Sequence, residues 1–303
     1  MQNIGFSIDV NCQNPDSGKH KFFIRLAKEF IKLGICINNY NPEIYLRLPL
    51  DKVNKKAKIN VLRLDGLIMN KDQDYKNKNK KILKSINESD AIIYQSKFCY
   101  KAYHNFLGVN KKFEIIYNGA DPEEFLPRKI ENFFLANCKW RPHKRLKYII
   151  KSFLLSEEMG LHSKLIITGN PDYKIKHKHI RYVGWQNGKD LKILLSQAIA
   201  NIHLAWIDWC PNSVIESVVA ACPLIYTNSG GNKEISDGFG IEINDTPWDY
   251  KACYLYKPPP IILKDVAKAM IKIKKEPLIL KSMDKFDIKN IALKYISFFD
   301  QLL

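Results

Sequence analysis

Absences narrow this sequence before any motif does. Its seven cysteines, Cys12, Cys36, Cys99, Cys138, Cys210, Cys222 and Cys253, form no CxxC pair and join no histidine–cysteine cluster. That argues against a zinc site and a disulfide framework, and it fits reduced, cytoplasmic thiols. No apolar run approaches the ~20 residues that a membrane helix needs. The segment Met1-Gln2-Asn3-Ile4-Gly5-Phe6 leads into a strand without a basic leader or a long apolar stretch, so neither a signal peptide nor a membrane span is expected. A GxGxxG turn is missing after that strand, which leaves a dinucleotide site unimplied. His143 and His203 read as lone, non-catalytic histidines.

Acidic residues are scarce as well, 31 against 48 Lys+Arg, for a net charge of +17. Such a balance fits a solvated lysine surface, a peripheral place at an anionic membrane, or nucleic-acid binding, in that order of preference. Much of the excess lies in lysine runs at 51–58 and 75–84, so no nucleic-acid partner is expected. With 303 residues and 46% apolar content, the chain can build two cores of ordinary size.

What is present is an alternation. A strand at 4–10 is followed by turn residues ending in Ser17-Gly18, then by a helix at 19–33 whose Phe22, Phe23, Leu26, Ala27, Phe30 and Ile31 recur at helical spacing. Gly34 closes that helix. Strands at 35–39, 58–64, 91–94 and 113–117 then alternate with helices at 78–89 and 97–107. After a polar stretch at 127–131, strands at 132–138, 164–168, 180–183, 202–206 and 223–227 alternate with helices at 146–159, 188–198, 212–222 and 263–275. This order predicts an α/β protein with parallel sheets in two Rossmann-like domains, 1–128 and 129–287, with a terminal helix at 288–303 packing back on the first.

The most informative stretch is 202–235, a strand–helix–strand unit. In such units anions bind beyond the carboxyl end of the strand, against the amides of the following helix. Pro211 suits the first helical position, and Asn212, Ser213 and Val214 offer small side chains and amides in the first turn. Asp208 and Glu216, eight apart, place one carboxylate in the loop and one about a turn inside the helix. A second cationic turn, Lys139-Trp140-Arg141-Pro142-His143-Lys144-Arg145, holds the corresponding place earlier in the same half. Its two lysines and two arginines can neutralise a diphosphate without a metal.

That turn resembles the R-x4-K phosphate motif of the family 4 glycosyltransferases, with Lys139 where arginine is usual and Lys144 matching the lysine. Further segments extend the resemblance in order. They are Ser17-Gly18, Arg63-Leu64-Asp65-Gly66, Tyr94-Gln95-Ser96, Tyr117-Asn118-Gly119-Ala120-Asp121, the E-x7-E pair at Asp208 and Glu216, and Ser229-Gly230-Gly231-Asn232-Lys233-Glu234. The departures are an aspartate for the first glutamate, Lys139, and one glycine in place of a pair at Gly18.

The resemblance implies a GT-B fold, its two domains facing across a cleft, and a retaining glycosyltransferase that needs no metal or other cofactor; the lack of a DxD-like motif agrees. It implies that Glu216 binds the ribose hydroxyls, that Lys139 and Lys144 hold the diphosphate with Arg141 in support, and that Asp208 contacts the donor sugar. Gly18 would let backbone approach donor phosphate or acceptor. Arg63 and Asp65 read either as acceptor-orienting groups or as an internal ion pair. Trp185, following Val183, reads either as a stacking surface for the base or as edge packing. The implied partners are a nucleotide-sugar donor and a glycan or lipid-linked acceptor. A sugar-nucleotide epimerase and a non-catalytic nucleotide-sugar binder remain the alternatives.

Overall fold

The computed structural model describes residues 3–12, 18–186, 188–236 and 238–303; Ser17 and the four turn residues before it lie outside them. The chain divides into two compact units, Met1–Ala120 with Tyr250–Cys253 and Lys285–Leu303, and Asp121–Asp249 with Tyr254–Asp284.

The first unit is a six-stranded parallel sheet. In chain order it holds β1 (Asn3–Phe6), α1 (Gly18–Lys32), β2 (Cys36–Ile37), β3 (Ile44–Arg47), β4 (Ile59–Leu64), α2 (Tyr75–Asn87), β5 (Ala91–Tyr94), α3 (Lys97–Leu107) and β6 (Phe113–Ile115). The strand order is β2-β1-β3-β4-β5-β6. Every residue of β5 is buried, the apolar run expected of a parallel strand covered on both faces. Strand β3 went unpredicted. Prolines bracket it at Pro42 and Pro49, and its last residue is a charged side chain that is fully buried. Arg47 is admitted to the interior because it donates to the carbonyls of Asp51 (2.8 Å) and Ser85 (2.6 Å) and to Ser89 Oγ (2.8 Å), a satisfaction no local pattern announces.

The second unit repeats the scheme with β7 (Phe133–Ala136), α4 (Leu146–Glu158), β8 (Lys164–Thr168), β9 (Ile180–Gly184), α5 (Gly188–Gln197), β10 (Asn201–His203), α6 (Asn212–Val219), β11 (Leu224–Thr227), α7 (Asn232–Ser236), β12 (Gly240–Ile243) and α8 (Leu263–Lys275). Its strands are all parallel in the order β12-β11-β10-β7-β8-β9. The edge strand β12 and the short α7 were not foreseen either, and α6 stops three residues before its predicted end, where Ala221 turns left-handed at φ 53°. Phe134, Ile149, Phe153, Ile202, Val266 and Met270 lie in its main core.

The last helix, α9 (Ile288–Asp300), belongs to the first unit. Asp287 caps it by accepting from the Lys289 amide at 2.9 Å. Its Ile291, Tyr295 and Phe299 share a core with Phe22 and Phe30 of α1, with Tyr295 edge-on to Phe30 at 6.3 Å. Burying five such side chains stabilises by about 1.5–3 kcal/mol each before entropy is counted. No described helix is long and apolar enough to cross a membrane.

Candidate functional site

The cationic turn and the Asp208 loop both follow the carboxyl ends of neighbouring central strands, β7 and β10. Parallel pairing sends both loops out on the same edge of the sheet. The Trp206 amide donates to the His143 carbonyl at 2.9 Å, which joins them. At their junction the Lys144 ammonium is hydrogen-bonded to Asp208 Oδ2, the two side chains 13% and 15% exposed. Asp208 Oδ1 accepts from the Trp209 amide at 3.0 Å. His203 Nε2 lies 3.3 Å from Asp208 Oδ2, and its Nδ1 lies 3.5 Å from Ser213 Oγ in the first turn of α6.

Burial works against both charges here. For Asp208 the Lys144 ammonium and the His203 contact outweigh it, so the carboxyl is held well below the ordinary range. Burial also disfavours the Lys144 ammonium, but the Asp208 charge prevails and raises its pKa. The site holds a persistent ion pair. Burial lowers His203 below the usual imidazole value, so it is a neutral imidazole at neutral pH. His203 is not a lone histidine: it stands five residues before Asp208, and the turn between them, where Ile207 takes φ 54°, brings the carboxylate back to its Nε2.

That turn is clasped by the glycine segment after β11. The Gly231 amide donates to the Asp208 carbonyl at 2.7 Å, and a Cβ on Gly231 would lie 2.1 Å from the Trp209 carbonyl oxygen. Gly230, at φ 66°, is also hemmed in, a Cβ there meeting the Asp208 carbonyl oxygen at 2.5 Å. Only glycine permits this approach. Ser229 Oγ accepts from the Ile207 amide at 3.1 Å and Asn232 Nδ2 donates to Ala205 at 3.0 Å. The segment therefore fixes the Asp208 loop from behind.

Several predicted roles change with the geometry. Arg145 leaves the cationic group: it is 2% exposed and gripped by both Asp245 oxygens at 2.7 and 2.8 Å, with a further bond to Pro259. The cations on the surface of the turn are Lys139 and Arg141, both exposed. His143 is 6% exposed and stacked on Tyr256 at 5.8 Å, and burial drives its pKa down to about 3. Burial likewise pushes the Cys138 thiol up to about 11, so it stays protonated. Pro211 occupies the N-cap of α6, one place before the predicted position. The Val214 side chain is fully buried and its amide donates to the Pro211 carbonyl at 3.0 Å. Val214 therefore cannot offer a free amide to a ligand. Asn212, Ser213 and Glu216 are half-buried along the helix.

In the first unit Arg63 resolves as the internal ion pair. Its side chain is 1% exposed, its guanidinium is hydrogen-bonded to Asp65 and to Asn118, and Gln95 Oε1 lies 3.4 Å away. The ring of Phe22 stacks beneath it at 4.5 Å. The Arg63 guanidinium is thereby engaged inside the unit, while Asp65 keeps 25% of its side chain exposed, with its Oδ2 buried and unpartnered. Gly18 begins α1 and is exposed. Val183 is half-buried at the end of β9, with its carbonyl accepting from Gln186 at 2.5 Å, and Trp185 beside it is 57% exposed.

No family model matches the chain, and no curated protein sequence does. Solved structures match it end to end. Sucrose-phosphate synthase of Thermosynechococcus elongatus aligns over 100% of this chain and 99% of its own at 12% identity and a TM-score of 0.70. Anabaena HepE in complex with UDP-glucose aligns over 99% and 100% at 12% identity and 0.71. A glycosyltransferase involved in avilamycin A biosynthesis aligns over 100% and 98% at 12% identity and 0.64. With two parallel six-stranded α/β sheets and a match along the whole chain, the protein has the GT-B fold of these structures.

Proposed function

We propose that the protein is a retaining, metal-independent glycosyltransferase, moving a sugar from a nucleoside-diphosphate donor to an acceptor hydroxyl in glycan, lipopolysaccharide or glycolipid synthesis. One observation carries the reading: Lys144, Asp208, His203 and the head of α6 meet at the carboxyl ends of β7 and β10. The full-length likeness to sugar-transferring enzymes supports it.

In this reading Lys139, Arg141 and Lys144 neutralise the diphosphate. The Ser213 amide, which by position has no intrahelical acceptor, adds a dipole of the favourable sign. Glu216 binds the ribose hydroxyls. Asp208, held ionised, accepts from the donor sugar's hydroxyls and shares its lysine with the phosphate. As the bond from the anomeric carbon to the diphosphate breaks, the acceptor oxygen bonds to that carbon on the same face. The acceptor's proton passes to the departing phosphate oxygen. Cations placed in advance stabilise the charge as it develops. Asp65, whose Oδ2 has no hydrogen-bond partner, is assigned to an acceptor hydroxyl. Val183 and Trp185 are assigned to the base, and Gly18 to a close backbone approach. The enzyme works in the cytoplasm, peripherally at an anionic membrane.

A thermal-shift screen of nucleoside diphosphates and their sugar conjugates tests the donor half. One base should raise the melting temperature, and Glu216→Ala should lose that shift while inorganic pyrophosphate still binds. Failure of every nucleotide to stabilise the wild type overturns the reading. Transfer should proceed without added divalent cation, and an absolute requirement for one refutes metal independence.

A further inference from the structure

At the far end of α4 from Lys144, with about 17 Å of helical rise between Leu146 and Glu157, a second group of side chains converges that the candidate site does not use. Glu157, in the last turn of α4, faces His177 and His179 in the segment entering β9. Glu157 Oε1 is hydrogen-bonded to His179 Nδ1, and Oε2 lies 3.6 Å from His177 Nε2. One ligand atom from each residue falls within 4.8 Å of the others. We propose that Glu157, His177 and His179 form a structural site for a divalent transition-metal cation of the zinc class, fastening the end of α4 to the lead-in of β9.

The donor set is the two-imidazole, one-carboxylate combination that zinc accepts, with nitrogen and oxygen ligands at about 2.0–2.2 Å. Tetrahedral ligands at that distance stand about 3.3 Å apart, so atoms that lie within 4.8 Å of one another need close by at most about 1.5 Å. The residues are 17%, 28% and 35% exposed for Glu157, His177 and His179. That leaves an entry path and room for water in the fourth position.

The scaffold is fixed in advance. The His179 carbonyl accepts from the Leu165 amide at 2.9 Å, the Ile180 amide donates to the His177 carbonyl at 3.2 Å, and the Ile175 amide donates to Tyr182 Oη at 3.0 Å. Exposure alternates along this segment, with Lys174, Lys176 and Lys178 outward and Ile175, His177 and His179 turned in. The lysine charges are thereby kept on the solvent side. On binding, the His177 Nδ1, which accepts from the His179 amide at 3.3 Å, takes up the ring's remaining proton and gives up that long contact. Zinc spacing in sequence missed the site because Glu157 lies twenty residues upstream.

Titration with Co²⁺ as a spectroscopic probe tests this. The wild type should bind one equivalent with visible d–d bands and no thiolate charge-transfer band, and Zn²⁺ should displace it and raise the melting temperature. His177→Gln and His179→Gln should each weaken binding more than about tenfold while keeping the metal-free melting temperature. In the unaltered protein, Zn²⁺ should shift the imidazole nitrogen signals of two histidines, those lost in the two variants. Equal binding by the variants, a thiolate band, or movement of other histidines overturns the proposal.

Discussion

Each unit ends a central strand in a cation–carboxylate pair, and the two pairs are built to opposite purposes. In the first unit Arg63 spends its fork on Asp65 and Asn118 above the Phe22 ring, at 1% exposure. In the second, Lys144 holds Asp208 at 13% and 15% exposure, beside the exposed Lys139 and Arg141. A planar guanidinium locked by several acceptors is an internal fixture, whereas an ammonium on a flexible stem can exchange one anion for another. A cation's presence in a strand-end motif therefore says little until its donors are counted. Arg145 makes the same point within the second unit, one residue from Lys144 and committed to Asp245.

Three experiments break or sharpen that contrast. The largest effect is expected from Arg63→Ala, which leaves Asp65 and Asn118 without their buried partner and should cost about 3–5 kcal/mol in urea denaturation. Unchanged stability with lost turnover would make Arg63 a substrate group after all. Lys144→Ala should be milder for stability but lower kcat/KM by about 10²–10³-fold, as removal of one preorganised charge-stabilising group does. Unchanged kinetics would reduce Lys144 to the status of Arg63.

The smallest effect is acid sensitivity. His143 titrates at about 3 when folded and near 6.5 when unfolded, so its neutral form favours the fold fully above pH 6.5. That contribution is lost as pH falls toward 3, at about 1.4 kcal/mol per pH unit. His143→Gln should remove that slope between pH 6 and 4 in denaturant midpoints, and an unaltered slope would place the acid sensitivity elsewhere.

The strands and helices that carry the site were legible because parallel α/β units write continuous apolar runs and helical stripes into the chain. Strand β3 was not, since its end is a buried arginine satisfied by carbonyls 38 and 4 residues away. The site was legible in its residue types and illegible in its pairings. Asp208 and Lys144 are 64 residues apart, so no spacing could show that they bind each other before any ligand arrives. The one short-range signal available was His203 five residues before Asp208, which needed the left-handed Ile207 to become a contact.

By itself the sequence determined the α/β alternation, the glycine turn at Gly230-Gly231 and a basic turn followed by an acid-bearing loop, because each rests on periodicity or on the φ freedom of one residue type. Only the tertiary structure decided which charges are open and which are spent. A charge's fate depends on how many acceptors the packed chain brings within about 3 Å of it, and those acceptors come from strands and loops far away in sequence.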